Sequence, residues 1–125
     1  MDDQQQILEL ARYVDMLRNL RYDIKRSISY EMFNNTGRLA YRSYNAIQQG
    51  LLTILDDEFV RALTIEMNES MTEKELIWLV NMAAGQLMSY TEGLLKMQKI
   101  QFQIKHASAD DDAQEMLRWV MRDDD

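Results

Sequence analysis

The chain contains no cysteine and no proline, and only four of its 125 residues are glycine. Without cysteine it forms no disulfide, thiolate metal site or cysteine nucleophile, which excludes the small secreted disulfide scaffolds and suits a reducing compartment. Proline interrupts helices, and glycine is common in hairpin turns and long loops. The scarcity of both residues therefore favours long, uninterrupted helices.

Long apolar runs are also missing. No segment approaches the ~20 consecutive apolar residues of a membrane span, and the residues after Met1 show neither the basic nor the apolar region of a signal peptide. The formal net charge of −7 opposes binding to nucleic acid and to anionic membranes. We therefore expect a cytoplasmic protein that binds neither nucleic acid nor membrane.

Apolar residues recur at alternating three- and four-residue spacings along most of the chain, which is the period of amphipathic helices. The clearest seam has heptad spacing and consists of Leu76, Val80, Ala83, Leu87, Tyr90, Leu94, Met97 and Ile104. The pattern predicts one all-α domain over 1–125, a helical bundle of three long helices plus a short C-terminal helix with coiled-coil-like packing. The predicted helices are 3–33, 38–55, 57–68, 73–106 and 111–122.

Short local signals mark the ends of these helices. Residues 34–37, Asn-Asn-Thr-Gly, tolerate left-handed backbone and predict a turn. The aspartates at 56–57 predict that the helix restarts there, and Thr72 with Glu75 forms a capping box, which satisfies free amide groups at a helix start. Residues 83–85, Ala-Ala-Gly, are small enough to predict a close helix crossing.

The first helix carries several basic residues with aspartates between them. Charges of alternating sign are typical of a solvent-exposed helix face, so we interpret this stretch as solvated surface rather than a nucleic-acid site. The basic residues are Arg12, Arg18, Arg21, Lys25 and Arg26, and the aspartates are Asp15 and Asp23.

A single histidine excludes most of the chemistry that helical bundles support. Di-iron carboxylate sites require Glu-x-x-His pairs, but the residue three places before His106 is Gln103. Ser-His-Asp catalysis lacks its strand-to-helix turn, and no glycine-rich phosphate loop occurs. We therefore predict a non-enzymatic protein with no metal and no cofactor.

Two alternatives stay open. Helical nucleotide pyrophosphatases hold magnesium through carboxylates on adjacent helices, because several hard oxygen ligands surround the ions that bind the phosphates. Asp56, Asp57, Glu66 and Glu69 supply carboxylates of that kind, although no Glu-x-x-Asp pair completes the set. The other alternative is an acidic protein that mimics nucleic acid and occupies the basic groove of another protein.

Ten methionines and several large aromatic residues are spread through nearly every predicted helix. Such side chains fill cores and are also enriched at interfaces. Helices about 45–50 Å long cannot be wrapped into a sphere by so short a chain, so part of each apolar stripe stays exposed unless an oligomer covers it. We therefore predict a homo-oligomer with a protein partner or client. The predicted interface residues are Tyr41, Tyr44, Trp78, Tyr90, Leu94 and Met97.

Residues 86–94, Gln-Leu-Met-Ser-Tyr-Thr-Glu-Gly-Leu, resemble the central helix of the bacterial proteasome activator family. With looser matches at 57–59 and 75–76, the likeness covers residues 38–106. The resemblance implies a four-helix protomer that assembles into a ring and feeds substrates to a proteasome without ATP. The chain ends in aspartates rather than in the family's Gly-Gln-Tyr-Leu docking tail, so the resemblance implies the assembly but not the activation. The prediction is an oligomeric helical adaptor.

Overall fold

The computed structural model describes residues 2–106, and the structural statements that follow concern that part of the chain. Within it the elements are four α-helices and no strand: α1 (Asp3–Ser29), α2 (Thr36–Ile54), α3 (Glu58–Ala62) and α4 (Glu73–His106). The predicted all-α bundle with three long helices is confirmed. The short helix predicted at 111–122 lies outside the described residues.

The directions of the long helices follow from contacts near their ends. α1 runs antiparallel to α4, since Asp3 Oδ2 lies 3.3 Å from Lys105 Nζ. It also runs antiparallel to α2, because only the short turn 30–35 joins the two helices. α2 and α4 are therefore parallel. The chain returns from the end of α2 to the start of α4 through residues 55–72, which we call the crossover.

The core lies along the line where α1, α2 and α4 meet. Ala83 and Ala84 of α4 are buried there, and the guanidinium of Arg21 on α1 lies against Gly85. Ala83 and Ala84 therefore face α1 and α2, while the helix crossing predicted at 83–85 stays a prediction. The largest fully buried apolar side chains of the core are Tyr44, Leu10, Leu17, Leu51, Leu76, Ile77, Leu87, Val60 and Val80.

The seam predicted on α4 is buried in its first half only. Leu76, Val80 and Leu87 are fully buried, whereas Met97 and Ile104 are more than half exposed. A heptad series drifts about 20° per heptad around a straight α-helix, so Met97 and Ile104 are displaced around α4 from the side that carries Leu76 and Val80. α2 is also shorter, with 19 residues, whereas α4 has 34. Beyond the end of α2, the second half of α4 keeps α1 as its helical neighbour within residues 2–106 and leaves much of its circumference uncovered.

α1 ends at Ser29 rather than at the predicted residue 33. The chain turns there because two residues of the following segment, Glu31 (φ 53°) and Asn35 (φ 61°), have left-handed backbone. The amide groups of Glu31 and Met32 bond back to carbonyls of α1, the Schellman arrangement that ends many helices. Asn35 lies in the predicted turn. Glu31 occupies a position that glycine usually fills, so no residue type in the sequence marks the true end.

The helix predicted over 57–68 is wrong in extent. α3 starts where expected, because the Asp57 carboxylate accepts a hydrogen bond from the Val60 amide at 3.0 Å, but α3 has only five residues. Two side chains of α2 bind backbone carbonyls that a longer helix needs for its own hydrogen bonds. The Tyr44 hydroxyl donates to Leu63 O at 2.6 Å, and Gln48 Nε2 donates to Val60 O at 2.8 Å.

The N-termini of the parallel helices α2 and α4 lie side by side and share one carboxylate. Glu73, in the first turn of α4, accepts a hydrogen bond from the Arg38 amide of α2 at 2.8 Å and pairs with the Arg38 guanidinium. A carboxylate there offsets the positive ends of both helix dipoles. Partial burial alone would raise the pKa of Glu73, but the hydrogen bonds from Arg38 outweigh it, and the pKa is lowered.

We expect Glu73→Gln to lower the melting temperature at neutral pH, and we expect the difference from wild type to shrink in acid. Because the folded-state pKa of Glu73 is below its ordinary 4.5, its charge contributes stability at higher pH, and the contribution is lost as the pH falls through the folded pKa. Circular dichroism melts between about pH 7 and about pH 3 measure the difference. Glu69→Gln, an exposed glutamate of the crossover, is the control. A difference that stays constant with pH would contradict this role of Glu73.

Candidate interaction surface

α4 carries a second stripe of residues on the side opposite the core. Four of its large members are strongly exposed, Trp78 by 50%, Met82 by 58%, Met97 by 53% and Ile104 by 59%, and the fifth, Ile100, is half-buried. Successive members are three or four residues apart, so they lie along one side of the helix. Core packing therefore does not account for them. We call this surface the outer stripe, and it consists of Trp78, Met82, Gly85, Ser89, Gly93, Met97, Ile100 and Ile104.

Small residues occupy the middle of the outer stripe. A methyl group at Gly93 would meet no atom within 4 Å, and one at Gly85 would lie 3.3 Å from Arg21 Cζ. An open groove runs over this region, with Arg21 of α1, Phe59 of α3 and Tyr90 of α4 in its lining. The small residues leave room for a helix backbone to approach closely.

The contacts of Asp57 fix the part of the groove formed by α3. Its carboxylate accepts a hydrogen bond from the Tyr90 hydroxyl at 2.5 Å while it caps α3, and the rings of Phe59 and Tyr90 lie 4.5 Å apart at 31°. Partial burial alone would raise the pKa of Asp57, but the bonds from Tyr90 and from the amides of Val60 and Phe59 lower it. The same bond to Asp57 raises the pKa of Tyr90. The groove is therefore held by a charge-assisted hydrogen bond.

On the α1 side, the groove lining includes two buried polar atoms that have no hydrogen-bond partner within residues 2–106, Arg21 Nε and Asn81 Oδ1. A buried donor or acceptor without a partner costs free energy, and such atoms are uncommon in folded proteins. A partner that brings polar groups to this part of the groove would remove that cost.

The predicted interface residues are placed differently from one another. The prediction that Tyr44 is an interface residue is wrong, because its side chain is fully buried. Its hydroxyl donates a hydrogen bond to Leu63 O, and burial raises the pKa of Tyr44 to about 12. Trp78 and Met97 lie on the outer stripe and are exposed. The other three are half-buried, Tyr90 in the groove lining and Tyr41 and Leu94 elsewhere.

Sequence reasoning missed Met82, Ser89 and Gly93, assigned Gly85 to a helix crossing, and assigned Ile104 to the inner seam. The signal was present, because Trp78, Met82, Gly85 and Ser89 follow one another at gaps of four, three and four. Glycine and serine are not apolar anchors, so an apolar-periodicity search passes over them.

The carboxylates of the magnesium alternative do not form a metal site. Within residues 2–106, no group of three or more aspartate, glutamate or histidine side chains is placed to hold a metal ion. Asp57 caps α3, and Asp56 pairs with Arg61. Glu66 and Glu69 lie on the irregular part of the crossover, whereas the alternative requires them on a helix.

The described helices also lack a membrane span: none in residues 2–106 is both long and apolar enough to cross a bilayer. No protein-family model, curated protein or solved structure matches the chain. The resemblance of residues 38–106 to bacterial proteasome activators therefore stays a prediction.

Proposed function

We propose that this chain is a non-enzymatic helical assembly module. It associates with itself through the outer stripe of α4 and presents further apolar surface to a protein partner, in the manner of an adaptor. The observation that supports this most directly is the exposure of Trp78, Met82, Met97 and Ile104 on one side of one helix. On soluble proteins, exposed apolar side chains that are grouped on one side often mark an interaction site, whereas single scattered ones do not.

A second exposed apolar region supports the adaptor part of the proposal. Tyr22, Tyr30, Met32 and Leu39 are all more than half exposed around the turn that joins α1 to α2. We call this the corner surface. It is built by α1 and α2 and not by α4, so it stays available when the outer stripe is covered. We assign the corner surface to a protein partner. We place this contact in the cytoplasm, a reducing compartment in which proteins rarely depend on disulfides and a chain without cysteine is common.

Light scattering coupled to size-exclusion chromatography tests self-association. We expect a mass well above the 14.8 kDa of one chain at high concentration and a fall towards that value on dilution. Met82→Glu puts a charge on the exposed outer stripe and should give a monomer with unchanged helix content. Leu39→Glu changes the corner surface and is the matched control, which should associate like wild type.

Three results have distinct meanings for the proposal. A wild-type chain that remains solitary at the highest attainable concentration would overturn it. A ring-sized particle would support both the assembly and the resemblance to proteasome activators, whereas a dimer would support the assembly alone.

A further inference from the structure

The residues of the outer stripe are spaced symmetrically. From the N-terminal end, the gaps between successive members are four, three, four, four, four, three and four residues, and the same series is read from the C-terminal end. A second α4 laid antiparallel therefore matches every member with another member. The matched positions are Trp78 with Ile104, Met82 with Ile100, Gly85 with Met97, and Ser89 with Gly93.

The sizes of the matched side chains are complementary. Ser89 and Gly93 meet at the centre, where their small size lets two helix backbones approach closely. Next to the centre, the large Met97 is matched with the small Gly85. At both ends large apolar groups meet, such as Trp78 with the Ile104 of the second copy. A two-fold interface requires one surface to be complementary to itself in this way.

Charges beside the centre are also compatible with two-fold pairing. Arg18 Nη2 lies 3.3 Å from Glu92 Oε1, and Glu92 is adjacent to the centre of the stripe at residue 91. In the antiparallel arrangement this ion pair lies beside the same pair of the second copy. Arg18 also pairs with Asp15 at 2.8 Å, so each copy brings one cation between two carboxylates, and that cation offsets part of the repulsion expected between chains that each carry −7.

We infer that two copies of this chain pair through α4 in antiparallel orientation, about a two-fold axis that passes between Ser89 and Gly93. The inference rests on the proposed function and specifies its partner and geometry. A contact about 40 Å long and about 10 Å wide on each copy buries on the order of 1,000 Å² in total. This is the lower end of the range for specific interfaces, so the dimer is reversible.

The absence of cysteine makes disulfide cross-linking a direct test, since each introduced thiol reports on one position. Met82→Cys and Ile100→Cys proteins are prepared separately, reduced, mixed and oxidised mildly. Antiparallel pairing brings position 82 next to position 100 of the other copy. In the same arrangement, position 82 of one chain and position 82 of the other are 18 residues apart along the helix axis. That is about 27 Å, which no disulfide spans. Mass spectrometry should show the mixed disulfide at least tenfold above either symmetric one.

Gln49→Cys, on the exposed side of α2, is the matched control and should show only the background of random collisions with either variant. Symmetric Met82→Cys disulfides as the main product would mean parallel helices and would overturn the inference while self-association stands. If cross-linking stays at background while light scattering shows an oligomer, the chains pair through a surface other than the outer stripe. That result also overturns the inference. A monomer at every concentration would remove both the inference and the proposed function.

Discussion

Replacing Gly37 by alanine is expected to destabilise the bundle by about 3 kcal/mol, the upper part of the usual range for overpacking. The added methyl group would lie 2.3 Å from the carbonyl oxygen and 2.9 Å from the Cα of Glu73. Both atoms belong to the backbone of α4, so no side chain can rotate away. Relief requires α2 and α4 to separate where Arg38 and Glu73 join them. Urea unfolding followed by circular dichroism measures the loss.

Gly93→Ala is the matched control for the steric argument. A methyl group there meets no atom within 4 Å, so we expect no loss and a gain of about 0.5–1 kcal/mol from the better helix propensity of alanine. The comparison is made on dilute protein, because Gly93 belongs to the outer stripe. Equal losses in the two variants would show that the contact of Gly37 with Glu73 is not the cause.

Gln48→Ala is expected to cost about 3 kcal/mol, through a lost hydrogen bond and a cavity. Gln48 is fully buried on α2, and its Nε2 donates to Val60 O at 2.8 Å and to Thr64 Oγ1 at 2.9 Å. Alanine leaves the buried Val60 carbonyl without this donor. Hydrogen exchange should rise in the crossover more than in α1, in parallel with the loss of stability in urea.

Gln48→Met separates the two contributions, because methionine restores most of the volume and donates no hydrogen bond. Gln48 Oε1 already lacks a partner within the described residues, so methionine also removes one unsatisfied acceptor. We expect roughly half the loss of the alanine variant. If both variants lose less than about 1 kcal/mol, Gln48 does not hold the crossover in place.

The start of α4 could be predicted from the sequence because its cause is local. The Thr72 hydroxyl accepts a hydrogen bond from the Glu75 amide at 3.1 Å, so two residues three places apart determine the first turn. The end of α3 could not be predicted. It depends on Tyr44 and Gln48, which bind the crossover from a different helix, and no residue type near the end of α3 signals those contacts.

The exposed stripe of α4 was harder to predict for a related reason. Periodicity shows that α4 has apolar residues at helical spacing, but it does not show which side of the helix α1 and α2 cover. Tyr44 and Trp78 are both amphipathic aromatic residues on helices, yet the first is fully buried and the second is half exposed. Only the packing of the three helices distinguishes the two, because it determines which side of each helix faces the other helices.

α3 links the stability of the crossover to the shape of the groove. This helix of five residues supplies Phe59 to the groove lining and is held by Asp57, Tyr90 and Gln48 rather than by its own length. Warming should therefore release α3 while the three long helices remain paired. The groove would then lose its Phe59 side at a lower temperature than the loss of helical structure, giving two transitions where a uniformly rigid bundle gives one.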